Sequence, residues 1–426
     1  MSTIESASPS STESASPSSA GTGAARTARS PWAGTASAEE LARWRGVAEA
    51  VAEQLRPGAL ERDRTGDPRA ALEVLRASGL ANLVVPAENG GHGAHWETAF
   101  EVIRTVSRAD ASLGQILGYH YLNQACVAFY GDPDGRERWY RASAERNLFW
   151  SDAFNPVSPD LSFTADGDGY LLNGVKRFAT GAAATDVVIS GAIAEGGRHD
   201  GELVVFALDS RRAGVEHPDD WDHLGQRASA SGSIRFTDVR ITEADVIGVD
   251  REEPFAALVT PGVQLLLANV YLAGAQGALE QARELVLARS NAWFLSGVER
   301  YADDPTVHRV LGELVAQTAA VEALADRLAR RFDEAVALGA ATTEADRGRI
   351  EVEIAALKVA STRAALEVTN RVFEVTGASA TANRIGLDLF WRNVRTYTLH
   401  DPVDYKSIEV GAHFLDGRLQ PVSLYT

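Results

Sequence analysis

Residues 390–406 carry the densest set of reactive side chains in this sequence. The segment holds His400 together with two arginines, two aspartates, a lysine and several aromatic residues. Such a concentration of ionisable and aromatic groups usually borders a cleft rather than a plain solvated face. An imidazole titrates near neutral pH and therefore suits proton transfer. The sequence thus predicts acid–base chemistry close to His400.

A second candidate group lies upstream, where Tyr119 and His120 follow Gly118 in a predicted helix over residues 113–130. Consecutive residues of an α-helix point about 100° apart. Only one of the two side chains can therefore face a cleft, and the other belongs to the packed interior.

The elements that position these groups are predicted to be helical, then β, then helical again. Apolar residues recur at three- and four-residue spacing over residues 38–55, whereas short alternating runs begin near residue 146. Long amphipathic runs return after residue 255, so the fold class is α+β with a dominant helical bundle. The predicted parts are a disordered Ser/Ala/Pro-rich tail (1–36), a helical domain (37–145), a β domain (146–250) and a C-terminal helical bundle (251–426).

The β domain contains one strong local turn signal, Asn173-Gly174, between alternating runs. Asn-Gly favours a two-residue hairpin turn because both residues tolerate positive φ. The sequence therefore predicts a hairpin whose turn lies at these two residues. Strands are also predicted over residues 187–193 and 203–208.

Bulk properties narrow the class of protein. The formal net charge of −17 argues against a nucleic-acid binder or a protein attached to anionic membranes. The single cysteine, Cys126, excludes an intramolecular disulfide and predicts a small buried side chain. No apolar signal segment opens the chain, so we expect a cytoplasmic protein. The uncharged stretch 254–279 is long enough to span a bilayer, but its polar residues and glycines favour a buried core helix.

Several familiar motifs are missing from the sequence. It contains no Gly-rich dinucleotide fingerprint after a strand, no phosphate loop, no His-Glu-x-x-His and no Gly-x-Ser-x-Gly. The only histidines close enough to suggest metal ligation are His92 and His95, which lie in a Gly-rich loop. We therefore predict no metal site and no nicotinamide site.

Stretches spread over the chain resemble the acyl-CoA dehydrogenase family in order and spacing. They are residues 89–93 (Asn-Gly-Gly-His-Gly), 112–114 (Ser-Leu-Gly), 173–181 (Asn-Gly-Val-Lys-Arg-Phe-Ala-Thr-Gly) and 224–239. Within that family the chain is similar to the flavin-dependent monooxygenases of the dibenzothiophene monooxygenase group. The stretches that carry this second resemblance are residues 75–80, 118–120, 268–272 and 390–406.

The resemblance implies the family's fold: an N-terminal helical domain, a central β-barrel or sandwich, and a C-terminal four-helix bundle. It also implies a two-component monooxygenase. A separate NAD(P)H:flavin reductase supplies reduced FMN (FAD is the alternative), which reacts with O₂ to give a C4a-hydroperoxyflavin. That species oxygenates a heteroatom of a small hydrophobic substrate, most often sulfur, as in dibenzothiophene-type heterocycles. An N-hydroxylase or aromatic hydroxylase of the same fold remains open.

The alternative within the family is an acyl-CoA dehydrogenase or oxidase. Those enzymes often carry a catalytic Glu followed by Gly-Thr in this C-terminal segment. Here the matching position is Asp401, which Pro402 follows. A shorter carboxylate in a proline turn disfavours thioester dehydrogenation. A non-catalytic protein that keeps the fold is a third possibility.

The resemblance also assigns roles to single residues. His400 is the C-terminal acid–base group near the flavin, Tyr119 contacts flavin and substrate, and Thr180 matches a family serine near flavin N5. Gln115 and Tyr397 stand where relatives have histidines, and Asn155 lies in a loop that is shorter here; these three are the predicted substrate contacts. The predicted cofactor contacts are Trp221, Arg289, Gly377, Ala378, Ser379, Thr381 and Arg395.

Two of these cofactor assignments reach beyond one chain. Relatives often carry Arg where this chain has Ser379, and we expect Arg289 of a neighbouring subunit to supply the missing charge. The resemblance accordingly implies a homotetramer with the C-terminal bundles at its centre. Arg392 and Arg395 are each equally compatible with a cofactor contact and with a structural salt bridge.

Overall fold

The computed structural model describes residues 30–154 and 161–423. Within these residues the chain runs from helices to strands and back to helices, which confirms the predicted α+β fold class. Residues 1–29 of the predicted disordered tail and the predicted substrate contact Asn155 lie outside the described residues.

Within the predicted disordered tail, Trp32 packs onto the protein, whereas residues 33–35 are exposed. Trp32 is only 2% exposed, and its indole N–H donates to the carbonyl of Val84 at 3.0 Å. Its ring meets Trp96 edge-on, with the centroids 5.3 Å apart. A tryptophan buries enough apolar area, with its one polar group satisfied, to order a short segment whose neighbours are mostly small or polar.

The N-terminal domain is a helical layer built around the long helix α5. Asp110 separates α4 from α5: its backbone is extended, and its carboxylate accepts hydrogen bonds from the N–H groups of Ser112 and Leu113. This N-cap fixes where α5 begins. The helices are α1 (Ala38–Leu55), α2 (Ala59–Thr65), α3 (Arg69–Ala77), α4 (Trp96–Ala109), α5 (Ala111–Tyr130) and α6 (Pro133–Arg146).

The β domain is a pair of sheets packed face to face over a core of aromatic residues. Phe163 stacks on Tyr170 and on Phe206, with centroid separations of 4.3 and 5.2 Å. In the described residues the sheet orders are β1-β4-β5-β8 and β2-β3-β7-β6. The strands are β1 (Trp150–Asp152), β2 (Leu161–Asp166), β3 (Gly169–Lys176), β4 (Val187–Ile193), β5 (Leu203–Asp209), β6 (Val215–Glu216), β7 (Ile234–Ile241) and β8 (Val246–Asp250).

The predicted hairpin turn at Asn173-Gly174 is wrong. These residues lie inside β3, where the register against β7 shifts between Leu172 and Gly174. The Asn173 side chain accepts a hydrogen bond from the N–H of Asp238 at 2.7 Å instead of stabilising a turn. Pairing of β3 on both edges holds the segment extended and turns the local signal into a bulge. The turn that joins β2 to β3 lies six residues earlier, at 167–168, where Gly167 has φ of 62°.

The C-terminal domain is a bundle of long helices. A capping box between Thr343 and Asp346 starts α9, the helix that runs through its middle. The long central helix α7 and the preceding turn, Ala256–Ala288, have the length and hydropathy of a membrane span, but 89% of the most apolar window is buried inside the protein. The prediction of a buried core helix is therefore confirmed. The helices are α7 (Val259–Ala288), α8 (Pro305–Ala337), α9 (Glu344–Thr376), α10 (Asp388–Tyr397) and α11 (Val403–Asp416).

Glycines allow the close approaches that bring the domains together at α10. A Cβ on Gly277 would lie 2.5 Å from Phe390, and one on Gly274 would lie 2.5 Å from Val394. A Cβ on Gly225 would lie 2.1 Å from the carbonyl oxygen of Arg392. Because real side chains do not tolerate such distances, α7 and the loop after β6 both need glycine to contact α10. The end of α10 is thereby held between α5, α7 and the β domain.

Candidate active site

A cavity of ≈ 660 Å³ lies where the three domains meet. One face of α5 forms its floor, since residues spaced three or four apart in a helix share a face. The β domain and the α10–α11 connection form its walls. The α5 residues that line it are Gln115, Tyr119, Leu122, Asn123, Cys126 and Tyr130.

The structure brings most of the predicted site residues together in this cavity. All three predicted catalytic residues line it, although they come from three separate parts of the chain. The predicted residues that line the cavity are Gln115, Tyr119, Thr180, Trp221, Arg395, Tyr397 and His400.

Tyr119 and His400 form the central polar pair of the cavity. The Tyr119 hydroxyl lies 3.1 Å from Nε2 of His400, and Nδ1 of His400 lies 3.2 Å from Asp401. An ionised carboxylate only accepts hydrogen bonds, so Nδ1 donates to Asp401, and Nε2 accepts from the Tyr119 hydroxyl whenever it carries no proton. Burial raises the pKa of Tyr119 well above its ordinary value, and the charges of Asp152 and Asp401 raise it further. Tyr119 is therefore a protonated donor at neutral pH.

Asp401 is held from behind by a buried lysine. Lys358, whose side chain is 0% exposed, forms an ion pair with Asp401 and donates to Gln264 at 2.6 Å. Burial acts to raise the pKa of Asp401, but the hydrogen bond from His400 and the charge of Lys358 outweigh it and leave this pKa well below its usual range. Asp401 thus stays ionised and orients His400. A carboxylate that is ion-paired with Lys358 and hydrogen-bonded to His400 is unsuited to abstract a substrate proton. This agrees with the expectation that thioester dehydrogenation is disfavoured.

Thr180 is prepared to donate its hydroxyl proton into the cavity. Its oxygen accepts hydrogen bonds from the amide of Gln115 at 3.0 Å and from the hydroxyl of Ser231 at 3.2 Å. Because both neighbours donate to it, the proton of Thr180 is left for a bound molecule. Gln115 therefore has a second role beside the predicted substrate contact, since it orients Thr180.

His120 lies behind the cavity, so the prediction that only one of Tyr119 and His120 faces it is confirmed. The Nε2 of His120 donates to the carbonyl of Ala81 at 2.7 Å, and its Nδ1 accepts from the N–H of Trp150 at 3.0 Å. Burial lowers the pKa of His120 to about 4. The residue is a neutral structural link between α5 and the start of β1.

An aromatic group forms the mouth of the cavity. Trp221 stacks on His223 with centroids 3.8 Å apart, and its indole N–H donates to the carbonyl of Gln226 at 2.9 Å. Phe178, 58% exposed, approaches both rings edge-on. The sequence pointed only to Trp221, because nothing in the local pattern of residues 178 and 223 marks them as neighbours.

Asp152 is a cavity residue that sequence reasoning missed as a functional group. It ends β1, lines the cavity, and accepts a hydrogen bond from the N–H of Phe154 at 2.6 Å. Burial raises the pKa of Asp152 to about 6, against the lowering effects of that hydrogen bond and of the charge on His400. A carboxylate two residues after the apolar pair Phe149-Trp150 was the available signal.

The predicted phosphate-binding residues lie elsewhere. Gly377, Ala378, Ser379 and Thr381 form a tight turn after α9, and none of them lines the cavity. The Arg289 guanidinium lies 3.4 Å from the position that a Cβ on Gly377 would take. Arg289 of the same chain therefore lies at this turn, and the expectation that a neighbouring subunit's Arg289 reaches it stays a prediction. It also lies over the ring of Tyr301, 4.0 Å from the centroid.

Arg392 and Arg395 separate into two roles. Arg392 donates to both carboxylate oxygens of Asp63 at 3.1 and 2.7 Å, and to Asp388 at 2.8 Å. It is a structural link between α2 and α10. Arg395 lines the cavity and forms no ion pair with any residue in 30–154 or 161–423. Of the two, only Arg395 is placed to contact a bound molecule.

The unpartnered polar atoms of the cavity fit a flavin ring. Gln115 Oε1, Asn123 Nδ2 and Gln226 Nε2 are buried without hydrogen-bond partners among the described residues. An isoalloxazine carries one N–H donor and several carbonyl and ring-nitrogen acceptors along one edge. The apolar walls and the Trp221 ring suit its flat remainder. The same residues show no cluster of three or more His, Cys, Asp or Glu that would hold a metal.

Comparison with protein families matches three consecutive domain models. They are the N-terminal domain of acyl-CoA dehydrogenase over residues 37–146, the middle domain over 151–239 and the C-terminal domain over 265–405. The matches together span all three structural parts of the chain.

Named relatives carry oxygenase functions. Dibenzothiophene monooxygenase of Mycolicibacterium goodii is 39% identical, over 87% of this chain and 93% of the relative. The probable FMNH₂-dependent monooxygenase SfnC of Pseudomonas putida is 38% identical, over 89% and 96%. The FMN-bound structure of TdsC from Paenibacillus sp. A11-2 superposes with a TM-score of 0.87 at 36% identity, covering 90% of this chain and 100% of that one.

Proposed function

The chain belongs to the acyl-CoA dehydrogenase family, and from that premise we propose that it is a reduced-FMN-dependent monooxygenase that oxygenates the sulfur atom of a small, largely apolar compound. Relatives that use FMN and act on sulfur compounds support this function. The observation that supports this function most directly is the Tyr119–His400–Asp401 array, which points protonated groups into an apolar cavity. In this array Asp401, the carboxylate at the position of the dehydrogenase base, is paired with Lys358.

The reaction balances with one oxygen molecule for each substrate. Reduced FMN supplies two electrons and two protons, one oxygen atom goes to the substrate and the other leaves as water. When bound, the cofactor supplies the activated oxygen, so the protein's part is to bind, orient, exclude water and control protons.

The cavity residues divide that work. Tyr119 donates a hydrogen bond from its protonated hydroxyl, and His400 Nε2 behind it takes up or returns the proton. Asp401 holds the imidazole in the tautomer that permits this exchange. Thr180 directs a second hydroxyl proton into the cavity from the opposite wall. Leu122, Ile189, Val259 and Val263 keep bulk water away from these groups.

Reduced FMN must come from outside, since the sequence has no dinucleotide fingerprint and the relatives include an enzyme described as FMNH₂-dependent. We infer a separate NAD(P)H:flavin reductase as partner. We place the pair in the cytoplasm, where that reductant is available.

We also infer that the flavin site is shared between subunits. Gln264, near the start of α7, contacts Lys358 and Asp401 beside the cavity, whereas Arg289 follows the other end of α7. The 25 residues between Gln264 and Arg289 span about 37 Å at the rise of an α-helix. One FMN is far too short to bridge that length. The turn at residues 377–381, with Arg289, would therefore bind the phosphate of a flavin whose ring lies in another subunit's cavity, in the proposed homotetramer.

Arg289→Ala is expected to weaken FMN binding about tenfold to a hundredfold, the scale of one lost charge-assisted hydrogen bond. Titration of the protein with FMN, followed by flavin fluorescence, measures this. Arg283→Ala, an exposed arginine on the same helix, should leave the affinity unchanged.

Sharing between subunits is tested by co-expressing Arg289→Ala and His400→Ala chains. Each variant alone should be nearly inactive, but mixed oligomers should regain activity, because an intact cavity of one chain meets an intact Arg289 of another. Activity no greater than the sum of the separate variants, or a monomeric mass by light scattering, would contradict the shared site.

The function itself is tested by mixing the anaerobic protein with reduced FMN and then with oxygenated buffer and an aryl sulfide. We expect sulfoxide in proportion to the reduced FMN supplied, one labelled oxygen atom per product from ¹⁸O₂, and little free H₂O₂. Recovery of all electrons as H₂O₂ with every sulfur compound tried, together with reduction of bound flavin by an acyl-CoA, would instead identify a dehydrogenase.

A further inference from the structure

Asp152 is the one carboxylate among the cavity-lining residues that the structure describes. Its backbone N–H donates to the carbonyl of Thr180 at 3.3 Å, so β1 fixes its position next to a predicted catalytic residue. One carboxylate oxygen accepts from Phe154, while the other accepts no hydrogen bond from residues 30–154 or 161–423. The side chain therefore offers a negatively charged acceptor to whatever occupies the cavity.

The catalytic groups lie within electrostatic reach of this carboxylate. The charge of Asp152 raises the pKa values of Tyr119, Cys126 and Tyr397, and in turn His400 and Lys176 lower that of Asp152. Burial is the largest influence on the pKa values of Tyr119, Cys126, Tyr397 and Asp152. Asp152 is thus close to the reacting region but takes no part in the Tyr119–His400–Asp401 array.

Positive groups near the cavity offset this charge only in part: the charges of His400 and Lys176 lower the pKa of Asp152, but burial outweighs them and leaves it raised. Lys358 is committed to Asp401, and Arg395 lies on α10 rather than on the β1 wall. Asn123 presents an unpartnered amide on the neighbouring face of α5, which adds polarity but no charge. A carboxylate in a largely apolar cavity interacts strongly with charge, because solvent screening is weak there.

We propose that Asp152 selects the substrate by charge: it favours a sulfur compound that carries a cation beside the oxidised atom, and it excludes anionic compounds such as sulfonates. The inference rests on the proposed oxygenase function. Specificity of this kind arises as much from repulsion of the wrong ligand as from attraction of the right one.

The test compares aryl methyl sulfides of similar size that carry a para aminomethyl, hydroxymethyl or sulfonate group. Reduced FMN is kept saturating, and kcat/KM is measured for wild-type protein, Asp152→Asn and Asp168→Asn. Asparagine is isosteric and can still accept the N–H of Phe154. Asp168 lies on an exposed turn of the β domain, so its variant controls for the loss of one negative charge.

For the wild-type protein we expect the sulfonate to react at least about tenfold less efficiently than the hydroxymethyl compound, the scale of a close charge contact. Asp152→Asn should raise kcat/KM for the sulfonate and lower it for the aminomethyl compound, and should change the neutral compound little. Asp168→Asn should behave as wild type. An unchanged sulfonate-to-neutral ratio in Asp152→Asn would overturn the inference. So would an equal loss for all compounds accompanied by weaker FMN binding, because Asp152 would then contact the flavin.

The pH dependence supplies a second readout. The pKa of Asp152 is raised to about 6, so its charge is present above that pH and is lost below it. Discrimination against the sulfonate, whose own charge does not change in this range, should therefore weaken as the pH falls through about 6. The same ratio should stay flat in Asp152→Asn, which retains every other titrating group that faces the cavity. Those groups are His400, Tyr119, Cys126, Tyr130, Tyr397 and His223.

If the proposed oxygenase function is wrong, no sulfide of any charge will be oxygenated, and this outcome differs from a failure of charge selection alone. In that case equilibrium binding of the same compounds to the protein with oxidised FMN still tests the charge preference. Equal affinities for anion and cation would reject it.

Discussion

Replacing His400 with alanine is expected to lower coupled oxygenation by about 10²- to 10⁴-fold, the usual contribution of one positioned acid–base group. The variant removes Nε2, the only imidazole nitrogen that contacts the Tyr119 hydroxyl. Electrons from reduced FMN should then appear as free H₂O₂ instead of product. The measurement is the ratio of sulfoxide to H₂O₂ per reduced FMN consumed.

Two companion variants make that result specific. Tyr119→Phe deletes only the hydroxyl and should shift the same ratio in the same direction, whereas Tyr405→Phe, an exposed tyrosine on α11, should not. His308→Ala, at the distant start of α8, controls for loss of an imidazole. Wild-type coupling in both His400→Ala and Tyr119→Phe would mean that another group handles the proton.

Lys358→Met is expected to destabilise the protein by about 3–5 kcal/mol, because it leaves the carboxylate of Asp401 buried without its cation. Burial already lowers the pKa of Lys358, so this ammonium owes its charge to Asp401. The loss should appear as a lower urea midpoint of unfolding. Coupled oxygenation should fall as well, since Asp401 then no longer holds His400 in one orientation.

The double variant Lys358→Met/Asp401→Asn separates the two effects. It removes both charges, and asparagine can still accept from Nδ1 of His400, so stability should return to within about 1–2 kcal/mol of wild type. Asp401→Asn alone should be less stable than the double variant, because it leaves Lys358 buried without its counter-ion. A double variant whose loss of stability equals the sum of the two single losses would show that the ion pair contributes nothing.

Much of the fold could be predicted from the local sequence pattern. The helices of the C-terminal bundle follow from long runs of amphipathic or apolar residues, and α9 begins where its capping box predicts. Errors arose where tertiary contacts overrode a local signal. The local sequence Asn173-Gly174 predicts a turn, but pairing of β3 with β2 and β7 keeps these residues extended. Trp32 lies in a sequence that reads as disordered, yet one large apolar side chain anchors it.

The candidate site could be predicted only in part from the sequence, again because tertiary contacts decide which groups meet. His400, Tyr119 and Thr180 were identified through resemblance, and the structure places them around one cavity. Asp152 and Lys358 were missed because their importance comes from burial beside other groups, which neither spacing nor composition encodes. Arg289 was assigned to the turn beside which the structure places it, although sequence separation says nothing of which copy of the chain a helix end approaches.

The sequence by itself predicted the order of the helical and β domains, since local periodicity is written along the chain. Its resemblance to a known family implied the flavin chemistry and the residues able to move a proton. Only the tertiary structure decided which polar groups face the cavity, which are neutralised behind it and which pocket wall carries a charge. These depend on distances between residues hundreds of positions apart, such as Tyr119 and His400, and on the weak screening that burial imposes on the charges between them.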